Sequence, residues 1–464
     1  MSITQPPRRS AIALTAMIIS GATVSVAVHP LSTQPAVAGE PAVAGEPAVA
    51  WIDRNAVPVR LDASGPVEDL RPLRGIVRGA RIVGLGEPSH GAHEQVTLRH
   101  RAVRYLVERL GFRTIAWEEN WATGVAIDRY VVSGHGDLRG VVGDMNPLWQ
   151  HQAMLDLVRW MREFNRSRPP RDKVRFLGSD VTELRTLPFQ EITQYVREVA
   201  QGRLDELNRH LKPIWYRGSA REQFEWYGPL PPARKQEVIE HARAVGRLVL
   251  SLPARPSHID RGYAIQHANA ILGFYETYAE DMATVSAPVR DRHIADTISW
   301  WQRRTRQRIV YGAANVHTTA IPRVTWTFPS DNVTFTNKVM AGGHLRLRYG
   351  RSYVSIATVS RTGRILGGFE SGRPSVFTVP PPRPPTVDHI LGQARHRTYL
   401  LDLHAPASPQ VRRWLDAPAT MRLIGSAYDV SKDADFTMTV GSFRRGFDAV
   451  LHIGAVTPTR PLDQ

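Results

Sequence analysis

The run Arg81-Ile82-Val83-Gly84-Leu85-Gly86-Glu87-Pro88-Ser89-His90-Gly91 is a short apolar strand that breaks into an acidic, histidine-bearing turn. Three more runs end in the same manner. Thr114-Ile115-Ala116-Trp117 stops at Glu118-Glu119, Val174-Arg175-Phe176-Leu177-Gly178 at Ser179-Asp180, and Arg308-Ile309-Val310-Tyr311-Gly312 just ahead of Asn315 and His317. Brief, nearly continuous Ile- and Val-rich runs read as strands buried on both faces of a parallel sheet. In such sheets ligands and chemistry gather past the carboxyl ends of the strands. Polar groups at the same end of four strands point to an enzyme.

The segments between the first three strands carry helical periodicity. Val96, Val103, Leu106 and Leu110 share one face of a helix that Gly111 closes, and Met154, Leu157, Val158 and Met161 repeat the pattern. Strand alternating with helix predicts an α/β core over 61–185 that contains the catalytic turn. From 186 to 306 the strand signal vanishes and proline-separated helical stretches predict an inserted helical subdomain. The chain then returns to the core sheet over 307–330. Strand-like runs around 333–335, 353–357, 399–401 and 449–453 predict a smaller α+β portion over 331–464.

The first residues stand apart. Arg8-Arg9, an apolar stretch from Ala11 to Ala27 and Ala36-Val37-Ala38 resemble an export signal over 1–38. They predict a secreted or cell-envelope protein, exported by the Sec or twin-arginine route, with no stable membrane insertion once the signal is removed. Ala-Val-Ala-Gly-Glu-Pro occurs at 36–41 and again at 42–47, so 39–60 reads as a low-complexity linker.

Composition removes several chemistries. With no cysteine in 464 residues there is no disulfide, thiolate nucleophile or Cys-ligated zinc. The formal charge is +16, but lysine occurs only at Lys173, Lys212, Lys235, Lys338 and Lys432, and the arginines are scattered. A scattered surplus argues against nucleic acid as the partner. There is no G-x-S-x-G elbow, no H-E-x-x-H and no P-loop, and Gly84-Leu85-Gly86 lacks the third glycine of a dinucleotide site.

What remains centres on His90. An imidazole titrates near neutrality and is the natural general base, and Glu87 on the same turn is placed to orient it. His90, His93 and Glu87 holding a metal is the competing arrangement. Arg99 falls on the same stripe as Val96, Val103 and Leu106, where a guanidinium is costly unless a carboxylate pairs with it. Glu87 and Glu118 are the available partners. Asp180 and Asn315 at strand ends, and Trp121 beside Glu118, are expected to contact the substrate. No cofactor and no metal are expected.

These residues resemble the erythromycin esterase family. The resemblance rests on Gly86-Glu87-Pro88-Ser89-His90-Gly91, Trp117-Glu118-Glu119-Asn120-Trp121, Asp128-Arg129-Tyr130-Val131, Arg290-Asp291-Arg292-His293-Ile294-Ala295 and Phe447-Asp448-Ala449-Val450-Leu451-His452-Ile453. It implies a hydrolase that opens a macrocyclic lactone or another ester without a metal, with His90 as base. Glu87, Arg99, Glu118 and His317 would line one cleft, with Arg99 and His317 stabilising the oxyanion. The chain departs from the family at Ala314, where a His-Asn-x-His segment has its first histidine. That change is expected to leave space for a different substrate group. The alternative is a scaffold that holds a small, haem-like ligand without turnover.

Overall fold

The computed structural model describes residues 45–279, 286–329, 333–369 and 372–462. The expected export signal, and with it the apolar stretch from Ala11 to Ala27, lies outside these residues. Among the described residues no helix is long and apolar enough to cross a membrane.

Strands follow along the chain as β1 (Val57–Pro58), β2 (Ile82–Leu85), β3 (Thr114–Asn120), β4 (Arg175–Asp180), β5 (Ile309–Gly312), β6 (Val324–Phe328) and β7 (Val333–Lys338). They continue as β8 (Tyr353–Gly367), β9 (Ser375–Val379), β10 (Tyr399–Asp402), β11 (Ala419–Arg422), β12 (Thr437–Val440) and β13 (Ala449–Val456). The main sheet runs β1-β10-β13-β8-β2-β5-β3-β4, with β9 added to the far end of β8. Every pairing from β13 across to β4 is parallel. The four strands expected from sequence are thus neighbours, and their carboxyl ends share one edge. All residues of β2, β3 and β5 are buried, which explains why they read as continuous apolar runs and not as alternation.

Helices cover the sheet faces. His93–Leu110 ends at Gly111, whose φ of 73° supplies the left-handed cap. Gln152–Asn165 packs its Met154, Leu157, Val158 and Met161 into the same core. The expected helical insertion is present as Thr186–Val199, Leu204–Leu211, Ala220–Tyr227, Pro232–Ser251, Arg261–Ala279 and Ser286–Thr305. It has a core of its own, in which Phe189, Tyr195, Tyr227, Phe274 and Tyr275 are buried. The last of these helices lies against the main sheet, through Ile294, Ile298 and Trp301.

Three expectations about boundaries are corrected. The 331–464 portion, expected as a smaller α+β part, contributes β8, β10 and β13 to the main sheet itself. Their apolar runs match those of β2 and β5, and the long sequence separation concealed the pairing. The second sheet, β11-β12-β6-β7, includes β6, which the sequence reading had returned to the core sheet. The linker reading of 39–60 also ends early. Gly45–Asn55 is a helix that buries Ala48, Trp51 and Ile52, and Val57 and Pro58 pair with β10. The Ala-Val repeat runs into Trp51 and Ile52, and those larger side chains provide the apolar face that the repeat lacks.

Candidate active site

The turn after β2 is fixed from several sides. Gly86 N–H donates to Ile356 O, Asn315 N–H to Glu87 O at 2.7 Å, and His90 N–H to Gly425 O at 3.1 Å. Gly91 cannot be replaced without moving the backbone, since a Cβ there would lie 1.7 Å from Leu366 O. On this frame Glu87 Oε1 meets His90 Nδ1 at 2.9 Å, and Glu87 Oε2 accepts from Arg99 Nη2. Glu87 and Arg99 are fully buried, and His90 is 6% exposed. The Trp149 ring meets the His90 ring edge-on, 5.3 Å between centroids. The Arg99 guanidinium lies 4.6 Å from the Trp117 ring. Among the described residues His90 Nε2 has no hydrogen-bond partner.

A second cluster faces it from β3, β4, β5 and the insertion. Glu118 Oε1 accepts from Arg290 Nη2 at 2.8 Å and lies 3.3 Å from His317 Nε2, while Glu118 Oε2 accepts from the Ala314 N–H at 3.0 Å. Arg290 also holds Asp180, its Nε 2.9 Å from Oδ1. His317 Nδ1 sits 2.9 Å from both oxygens of Asp291, which is itself fixed by the Ala341 N–H. Arg290 Nη1 and His317 Nε2 are 3.4 Å apart.

Burial tends to raise the Glu118 pKa, but the charges of His317, Arg290 and His90 overcome it and hold the carboxyl below the ordinary carboxylate range. Burial tends to lower the His317 pKa, but the carboxylates of Asp291 and Glu118 prevail and raise it above the ordinary imidazole value. The charged form of His317 is thus favoured beside Arg290, whose Nη1 lies 3.4 Å from His317 Nε2.

The structure brings Glu87, His90, Arg99, Glu118, Asp180 and His317 together, and gives Arg99, Asn315 and Trp121 surroundings that differ from those expected. Arg99 is fully buried behind Glu87 and cannot reach an oxyanion; it fixes the carboxylate that orients His90. Asn315 spends its side chain on β8, donating to Thr358 O at 2.8 Å and accepting from Thr358 N–H, so it ties turns together instead of contacting substrate. Trp121 is buried and donates to His267 Nδ1 at 2.8 Å, which anchors the insertion to the core. Ala314 is 3% exposed and packs in a core cluster with Trp326 and Met340, so its small side chain opens no space toward substrate.

Arg290, Asp291 and Trp149 escaped the sequence reading as site residues. Asp291 carried a usable signal, the one that flagged Arg99. It lies on the buried stripe of its helix with Ile294, Ile298 and Trp301, where an unpaired acid would be costly. His93 does not join His90: it faces a separate cavity with Thr97, His100 and Asp156. Among the described residues no group of three or more His, Asp or Glu could hold a metal ion.

Fold and site together define an α/β protein with a histidine–carboxylate centre at the carboxyl edge of a parallel sheet. The chain belongs to the erythromycin esterase family, whose sequence profile matches residues 107–456. That membership makes it a hydrolase. It is 24% identical over 340 residues to erythromycin esterase type II of Escherichia coli, covering 68% of this chain and 77% of that one. It is 22% identical over 391 residues to a putative hydrolase of Bacillus subtilis, covering 80% and 84%. Among solved structures, a Bacillus cereus protein aligns with a TM-score of 0.78 at 24% identity, covering 90% of this chain and 98% of that one. An erythromycin esterase mutant in an open conformation aligns with a TM-score of 0.64 at 19% identity, covering 88% and 99%. These structural likenesses bear on the fold.

Proposed function

We propose that the chain hydrolyses a carboxylic ester or lactone of a small molecule, with water as nucleophile and His90 as general base. The observation that carries this reading is the buried Arg99–Glu87–His90 series, which commits Nδ1 and leaves Nε2 without a partner among the described residues. A ring fixed in one tautomer has its basic nitrogen ready for a proton. Water gives its proton to His90 Nε2 as its oxygen bonds the acyl carbon. The carbonyl electrons move to oxygen, where Arg290 and His317 stabilise the charge. Collapse breaks the acyl–oxygen bond, and the His90 proton passes to the departing alkoxide, giving acid and alcohol. Glu118 holds Arg290 and His317 in register, and Asp180 holds Arg290 from the other side.

The relatives named for erythromycin make macrolides the first substrates to try, alongside aryl esters. Incubation with both panels, followed by mass spectrometry, should show addition of one water to at least one compound. Tight binding throughout without any hydrated product would overturn the reading.

A further inference from the structure

The amino edge of the sheet, the length of β2 away from the catalytic turn, carries a different feature. From Leu70 to Gly86 the chain holds Arg71, Arg74, Arg78 and Arg81 and no acidic residue. All four are exposed. Arg71, Arg74 and Arg78, with Pro72 and Gly75, line an open groove of about 630 Å³.

Arginines at this edge have an ordinary structural use, because the helices that cross back end here and present unpaired carbonyls. Arg308 serves that purpose through Ala80 O, Leu110 O and Val77 O. Arg113 binds Phe112 O and Asp172, and Arg109 binds Glu68. Arg71, Arg74, Arg78 and Arg81 do none of this. Their guanidinium groups have neither a carboxylate nor a carbonyl partner among the described residues. Like charges three and four residues apart on a helical turn repel one another.

We propose that this groove binds the phosphate groups of an anionic lipid surface. A guanidinium presents a planar fork that matches two phosphate oxygens. Three forks side by side along an open groove suit several phosphates in an array better than one enclosed anion. Basic residues at such a surface act cumulatively, each adding roughly fivefold in affinity.

The test is sedimentation of the full chain with vesicles of equal parts phosphatidylglycerol and phosphatidylcholine, against vesicles of phosphatidylcholine alone. Wild type should bind only the anionic vesicles, less so as salt rises. The combined variant Arg71→Gln, Arg74→Gln, Arg78→Gln should bind at least about tenfold more weakly. Its melting curve should be unchanged, since no bond of the fold is lost. Lysine at the same three positions should keep most of the binding. Equal binding by wild type and the glutamine variant, or no binding by wild type, overturns the proposal. Two further arms separate the sources of phosphate. Saturation by inorganic phosphate in calorimetry, with no vesicle binding, would assign the groove to a free anion instead of a lipid. Tighter binding to duplex DNA than to vesicles, lost in the same variant, would also overturn the lipid assignment.

Discussion

Both carboxylate oxygens of Asp291 lie 2.9 Å from Nδ1 of His317, so that ring is anchored from the insertion while its other nitrogen faces Glu118 and Arg290. A helix of the inserted subdomain thereby supplies half of a site whose other half rises from the sheet. The division has a mechanistic sense: the sheet side holds a histidine whose Nε2 has no partner among the described residues, and the insertion side, through Asp291, favours the charged form of its histidine.

Replacing Asp291 by Asn should expose that coupling as a pH effect. The His317 pKa is raised in the folded protein, against an unfolded value of about 6.5. Its contribution to stability is therefore full below about 6.5 and is lost as pH rises through the raised folded value. Asp291→Asn removes the main attraction and should lower the urea midpoint most in acid and least in alkali. A midpoint loss that is the same at every pH would show that His317 is not the titrating partner.

Catalysis should collapse in His90→Asn while the fold persists. Asn is close in size and can still donate to Glu87, but it cannot take up a proton. A general base usually contributes about 10²–10⁴-fold, so kcat should fall by at least about 10² with an unchanged melting temperature. Wild-type turnover in that variant would remove His90 from the reaction.

Arg99 tests the support beneath the base. Arg99→Met orphans the buried Glu87 carboxylate and should cost roughly 3–5 kcal/mol in denaturant unfolding. Adding Glu87→Gln should recover part of that stability, because the uncompensated charge goes, without restoring kcat, because His90 loses its anionic orienting partner. Recovery through Glu118→Gln instead would mean that Glu118 is the energetic partner.

Much of this was legible in one dimension, for definite reasons. β2, β3, β4 and β5 are buried on both faces, so their composition alone gave them away, and the polar residues at their ends had to share an edge once the strands were parallel. Arg99 was legible because a charge on an apolar stripe demands a partner. Arg290 was not, since it stands at the start of a helix where an exposed arginine is unremarkable, and only tertiary packing carries it to Asp180 and Glu118. Trp149 was hidden for a related reason: a tryptophan reads as core, and its contacts with the His90 ring and with Glu118 O at 2.7 Å depend on how the chain folds back. The place of β8 and β13 in the main sheet was hidden by sequence distance alone.

Ala314 is where sequence and structure lead to opposite experiments. Read against the family segment, its missing imidazole suggests that Ala314→His would add a functional group to the cleft. In the folded protein the methyl group is buried with Trp326 and Met340, while the backbone N–H donates to Glu118 Oε2 at 3.0 Å. The position acts through its backbone, and a larger side chain has to displace core residues. Ala314→His should therefore destabilise by about 1–3 kcal/mol, the usual cost of overpacking. It should also lower hydrolysis, because any shift of the 313–315 backbone disturbs the grip on Glu118. Ala314→Gly removes only the methyl group and should leave kcat within about threefold, since the N–H is retained. A stable Ala314→His variant that hydrolyses a macrolide faster than wild type would show that the side chain, not the backbone, sets what this site accepts.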